Sequence, residues 1–95
     1  MSDKQTELEL TAEVGRKVHK MTTTEGWGQV IYPALVKRRD EKIAELMQAD
    51  DFDAVLRTQG SIREIEFLVG MVRSAIGQGK SAEQELSRAA DAGDE

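Results

Sequence analysis

The sequence has no cysteine and no asparagine, a single proline at position 33, and only four aromatic residues. The absence of cysteine excludes disulfides, thiolate zinc sites and thiol nucleophiles. The longest apolar runs are four or five residues, far below the ~20 needed to cross a membrane. The polar N-terminus does not resemble a signal peptide. We therefore expect no membrane partner and no secretion by a signal peptide.

Charged residues and helix formers dominate the chain. Its 95 residues include 18 acidic and 13 basic side chains, for a formal net charge of -5. This length predicts one small domain, which buries only ~60–65% of the surface exposed by the unfolded chain. We do not expect a deep pocket or a cofactor. The net acidity argues against sequence-independent binding of duplex nucleic acid, which requires clustered Lys and Arg.

Apolar residues recur at helical spacing, and no segment alternates as a strand does. The pattern predicts an all-α protein with helices at about residues 3–20, 24–48 and 51–76. In the first helix, one apolar stripe is expected at Leu10, Val14, Val18 and Met21. Gly15 weakens the interior of this helix by roughly 1 kcal/mol relative to Ala. The helix is therefore expected to depend on docking to another surface.

The third helix carries the strongest pattern, a row at spacings of three and four in which only Thr58 is polar. The second and third helices are predicted to form an antiparallel hairpin, with the first helix as an addition. One partner helix hardly covers the row, so we expect a homo-oligomer. β-Branched residues at both a and d positions favour more than two helices. The predicted self-association residues are Val55, Ile62, Ile65, Val69 and Val72.

Both ends of the third helix have sequence signals. Asp50 or Asp51 is expected to cap its start. Residues 77–79, Gly-Gln-Gly, are expected to end it, because glycine takes the left-handed C-terminal cap most easily. The sequence therefore predicts a helical domain at residues 1–79, followed by an acidic and weakly ordered tail at residues 80–95.

An aromatic and aliphatic group lies near the only proline. Pro33 should kink the second helix or restart it at Tyr32. Trp27, Ile31 and Tyr32 either plug one end of the hairpin core or anchor a partner protein. Trp and Tyr are enriched at binding hot spots, and we predict the partner-binding role for these three residues.

A basic run in the second helix is a candidate contact for a polyanion. It offers Lys37, Arg38 and Lys42, but Asp40 and Glu41 lie within it. Interspersed acids are typical of a solvated helix face with internal ion pairs. Arg39 falls on the apolar stripe of this helix, so its head group is expected either to extend out of the packed seam or to pair with an acid, for which Glu66 is the candidate.

No catalytic constellation is visible. His19 is the only histidine, and it has neither an orienting carboxylate nor further metal ligands at suitable spacing. The acidic cluster beginning at Asp50 does not match a calcium loop, which needs a Gly and a Glu at fixed later positions. We predict that the protein is not an enzyme and holds no metal.

The sequence of the second and third predicted helices resembles that of a known group of small proteins. Trp27 opens a charged helix that leads to Ala49-Asp50-Asp51, and Gln59-Gly60-x-Ile62 continues into Ile65-x-x-Leu68. This pattern is similar to small helical-hairpin proteins of the structural and head-assembly modules of tailed bacteriophages. It covers Trp27 to about Val72; Pro33 and the additional N-terminal helix depart from it.

The resemblance implies a non-catalytic, virion-associated structural or assembly role. The protein would be found in the virion or in the cytoplasm of an infected bacterium. Its partners would be other copies of itself and a larger phage structural protein. The alternative is a small regulatory module that contacts nucleic acid or a host protein.

Overall fold

The computed structural model describes the backbone of residues 2–93 and the side chains of residues 3–92. Throughout this range the chain is helical apart from two short turns, so the predicted all-α class is confirmed. The elements are α1 (Ser2–Thr22), a π-helical segment (Gly26–Ile31), α2 (Tyr32–Gln48) and α3 (Phe52–Gly93). They form two compact units. The first contains α1 and the part of α3 from Val72 onward, and the second contains Thr23–Met71.

In the first unit, α1 lies antiparallel against the end of α3. Near the start of α1, Leu8 shares a groove with Leu86. Further along α1, the backbone at Gly15 meets the backbone at Gly79. Ala12 and Ala82 are 1% and 3% exposed. This contact is therefore made by residues with small side chains or none, which allows the two helices to approach closely.

The α1 stripe found by periodicity is not the surface through which α1 packs. Leu10 is 57% exposed and Val14 is 51% exposed. The contact face instead contains Ala12 and Gly15. These residues lie roughly a third of a turn or more around the helix from Leu10 and Val14. Helix α1 was expected to dock on another surface. In the structure this surface is α3 of the same chain.

The predicted end of the third helix at residues 77–79 is wrong. Helix α3 continues through both glycines to Gly93, and no described glycine has a positive φ. The reason lies in the packing, because Gly79 faces α1 and Ala82 continues the same row. Described residues of the predicted tail, 80–93, are the last turns of α3.

The second unit begins with a widened helical turn before the proline. The backbone N–H of Trp27 donates to Thr24 Oγ1 at 3.2 Å. The N–H of Tyr32 donates to the Trp27 carbonyl, five residues earlier, which is the π-helical bond. Pro33 then occupies the first turn of α2, where its missing N–H is tolerated. The predicted restart at Tyr32 is confirmed, and the chain stays helical across it.

The turn between α2 and α3 depends on one aspartate. The N–H of Ala54 donates to Asp51 Oδ1 at 2.7 Å, so Asp51 provides the cap that the sequence assigned to either Asp50 or Asp51. A groove beside this turn is lined from both helices. Its residues are Lys42, Glu45 and Ala49 of α2 and Ala54, Arg57, Thr58 and Ser61 of α3. Thr58 is buried there, at 8% exposure.

Candidate interaction surfaces

The described part of the chain buries almost no large apolar side chain. Only Ala12, Ala82 and Thr58 have buried side chains, and none of them is bulky. Twelve large hydrophobic residues are 37–83% exposed: Leu10, Val14, Met21, Val30, Ile31, Ile43, Met47, Phe52, Leu56, Phe67, Leu68 and Met71. Single exposed apolar residues are normal on proteins, but so many without a corresponding core mark surfaces that suit binding.

The predicted self-association row lies on a half-buried face of α3. Its members Val55, Ile62, Ile65, Val69 and Val72 are all intermediate in exposure. The apolar pattern of the sequence did not single out Phe67, which lies on another side of this helix and is 72% exposed. Met71, one turn later, widens the predicted stripe and is 50% exposed. The spacing of four residues between Phe67 and Met71 was the signal that could have identified Phe67.

The predicted partner anchor sits where the π-helical segment meets α2. The ring centroids of Trp27 and Tyr32 are 6.0 Å apart and the ring planes are tilted by 36°, a separation typical of interacting aromatic pairs. Both residues are half-buried, while Ile31 is 49% exposed. Val30, which the sequence analysis did not select, is 63% exposed. The structure therefore places an aromatic pair beside two exposed aliphatic side chains.

Two of the three candidate polyanion contacts, Lys37 and Lys42, line different grooves. The Lys42 side chain is 17% exposed, and its Nζ bonds Glu45 Oε2 at 3.1 Å in the groove shared with α3. Lys37 is exposed and lines a different, open groove on α2 with Tyr32. Arg38 is exposed as well.

Arg39 does not pair with Glu66. Its Nε lies 3.8 Å from Oδ1 of the adjacent Asp40, and Glu66 is exposed. Adjacent residues on a helix point in different directions, so this is a loose, solvated pair.

Helix α1 takes part in exposed ion pairs. Arg16 Nη1 lies 2.9 Å from Glu83 Oε1 on α3, and Lys17 Nζ lies 3.0 Å from Glu13 Oε1 one turn earlier. The hydrogen bond from Lys17, followed by its charge, lowers the pKa of Glu13 below its ordinary value. The Arg16–Glu83 pair accompanies the packing of α1 on α3.

The described residues contain no group of three or more His, Asp or Glu side chains arranged to hold a metal ion. His19 is exposed near the end of α1. None of the helices in the described range combines the length and the apolar character that a membrane crossing requires.

Comparison with known proteins found no relative of this chain. No protein-family model matches the chain, and neither a curated protein nor a solved structure shows detectable similarity to it. The likeness to phage helical-hairpin proteins therefore stays a prediction that rests on the residues from Trp27 to Val72.

Proposed function

We propose that this protein is a non-catalytic structural or assembly component that works through helix–helix contacts with copies of itself and with a larger protein. The observation that carries the proposal is the exposure of twelve large apolar residues, whereas the only buried side chains in the described range are those of Ala12, Ala82 and Thr58. Small chains rarely reach stability from such a core alone and commonly gain it by oligomerising.

The proposed assembly unit is an antiparallel hairpin of α2 and the first half of α3. The groove lined by Lys42 and Glu45 together with Arg57 and Ser61 supports this arrangement at the turn. The half-buried row along α3 is the surface that a second hairpin would complete. Its β-branched residues favour an assembly of more than two helices.

The proposed setting is the structural or head-assembly module of a tailed bacteriophage, in the virion or in the infected bacterium. The motif from Trp27 to Val72 supports this setting. Trp27, Ile31 and Tyr32 would anchor the larger phage protein, because a tilted aromatic pair beside exposed aliphatic groups suits a hot spot.

Sedimentation velocity across a concentration series tests the proposal. We expect the wild-type chain to assemble between low and high micromolar concentration, because its apolar surfaces are buried only on association. A compact monomer at every concentration would contradict self-association. Salt-dependent retention on nucleic acid would instead favour the regulatory alternative, whereas recovery of the chain in purified virions would support the structural role.

The hairpin has a separate test that exploits the absence of cysteine. Spin labels attached through the double variant Glu45→Cys/Ser61→Cys should report a short separation, because both positions line one groove. A control pair, Glu45→Cys/Arg63→Cys, places the second label on the opposite side of α3, at an exposed position, and should report a longer separation. A long or broad distance for the first pair would exclude the hairpin.

A further inference from the structure

Helix α1 has a second apolar face that its packing on α3 leaves open. Leu10, Val14 and Met21 are 57%, 51% and 37% exposed. Glu7 and Lys17 lie on the same face. Successive residues of this face are three or four positions apart, which is the spacing of the a and d positions of a heptad. Both charged residues are exposed. The two apolar residues at its centre are thus flanked by an acid on one side and a base on the other.

The order of charges makes this face complementary to itself in one direction. In an antiparallel pair of helices, a positions pack against d positions of the partner. Leu10 then meets Val14 of the second copy, and Glu7 meets Lys17 of the second copy. A parallel pairing would instead place Glu7 against Glu7 and Lys17 against Lys17, which repels at both ends.

We propose that two copies of this chain associate through α1, antiparallel, with Leu10 and Val14 at the centre and a Glu7–Lys17 ion pair at each end. This interface extends the proposed assembly function and rests on it, but it uses α1 and not the predicted row on α3. The existing bond from Lys17 to Glu13 is solvent-exposed, at 75% and 51% exposure of the two side chains. Such a pair is weak enough for Lys17 to reach a second acid.

Charge reversal followed by sedimentation equilibrium tests the pairing. Glu7→Lys and Lys17→Glu should each weaken association by about tenfold or more, since each places like charges at both ends of the interface. The double variant Glu7→Lys/Lys17→Glu should restore association, because the ion pairs re-form with their signs exchanged. Lys17→Glu also places two glutamates, at positions 13 and 17, one turn apart on the same helix. The double variant keeps this repulsion, so a recovery of association can come only from the restored pairs between the two copies. An equimolar mixture of the two single variants should form a heterodimer.

Glu9→Lys is a matched control, because it reverses a charge on α1 at a position away from this face and should leave association unchanged. If the wild type associates but the single reversals have no effect, or the double variant fails to recover, the α1 pairing is wrong while the proposed function stands. If the wild type stays monomeric at high micromolar concentration, both are overturned. Circular dichroism of each variant separates loss of association from loss of the helix.

Discussion

A β-carbon placed on Gly15 would lie only 2.6 Å from the α-carbon of Gly79, and one placed on Gly79 would lie 2.6 Å from the α-carbon of Gly15. The backbones of α1 and α3 therefore touch at this point. A side chain on either residue would force the helices apart, and a methyl group on Gly15 would also meet the Ala75 carbonyl oxygen at 2.9 Å. This contact explains why glycine stands inside both helices.

Alanine at Gly15 or Gly79 is expected to destabilise the protein although alanine is the better helix former. Overpacking of this kind costs roughly 1–3 kcal/mol. The matched control is Gly77→Ala, two residues away on α3, where an added β-carbon meets nothing within 4 Å. That change should stabilise by about 0.4–1 kcal/mol. Urea unfolding followed by circular dichroism measures all three; equal effects at positions 77 and 79 would refute the close approach.

Aspartate at Ile65 is expected to unfold the second unit. Ile65 is half-buried, and a carboxylate there would lose water without gaining a partner. We expect the free energy of unfolding to fall by about 3 kcal/mol or more. Phe67→Asp is the control on the same helix, because Phe67 is 72% exposed and its replacement should change stability by ~0.5 kcal/mol or less in the monomer. The reverse ranking in thermal unfolding would mean that α3 packs through its other side.

Removal of the Asp51 cap should weaken the start of α3. Asp51→Ala leaves the Ala54 N–H without its 2.7 Å acceptor and is expected to cost about 1 kcal/mol. Asp50→Ala removes the neighbouring carboxylate but leaves that bond intact, so its effect should be smaller. Chemical denaturation compares the stability of the two variants. A larger loss of stability in Asp50→Ala than in Asp51→Ala would show that Asp51 is not the cap.

The Glu13–Lys17 pair predicts a defined pH dependence. Because the pKa of Glu13 is lowered by Lys17, the pair contributes its stability above the ordinary pKa of a glutamate. That contribution is lost as the pH falls through the lowered pKa. In Lys17→Gln, titration followed by NMR should show the Glu13 pKa returning towards its ordinary value. Lys20→Gln should not have this effect, and the measurement is made at a concentration where the chain is monomeric. An unchanged Glu13 pKa in Lys17→Gln would show that the pair does not form in solution.

Replacement of Trp27 separates a binding role from a core role. Trp27 is half-buried against Tyr32, and Trp27→Ala is expected to weaken binding to the larger partner while leaving helical circular dichroism largely intact. Phe67→Ala removes an exposed aromatic residue elsewhere and serves as the control. A collapse of the helical signal in Trp27→Ala would place Trp27 in the core and remove the proposed anchor.

Local signals were sufficient to predict three helical segments and where some of them begin, but not that α3 continues beyond residue 79. The spacing of apolar residues predicted three helices, the Asp50–Asp51 pair contained the cap of α3, and Pro33 indicated the restart at Tyr32. These features depend on contacts between residues close together in the chain. The half-burial of Trp27 and the exposure of Phe67 depend on which other helix is near, and periodicity alone did not distinguish them.

The sequence by itself determined an all-helical chain, since its helix formers, periodic apolar residues and caps act over a few neighbouring positions. Only the tertiary structure decided the role of Gly15 and Gly79. Glycine at position 79 was compatible with a helix end or a helix interior, and the approach of α1 favours the interior because it leaves no space for a β-carbon. The same packing turns Ala12 towards α3 and leaves Leu10 and Val14 exposed. Tight contact between backbones depends on the absence of side chains, which hydrophobic periodicity does not register.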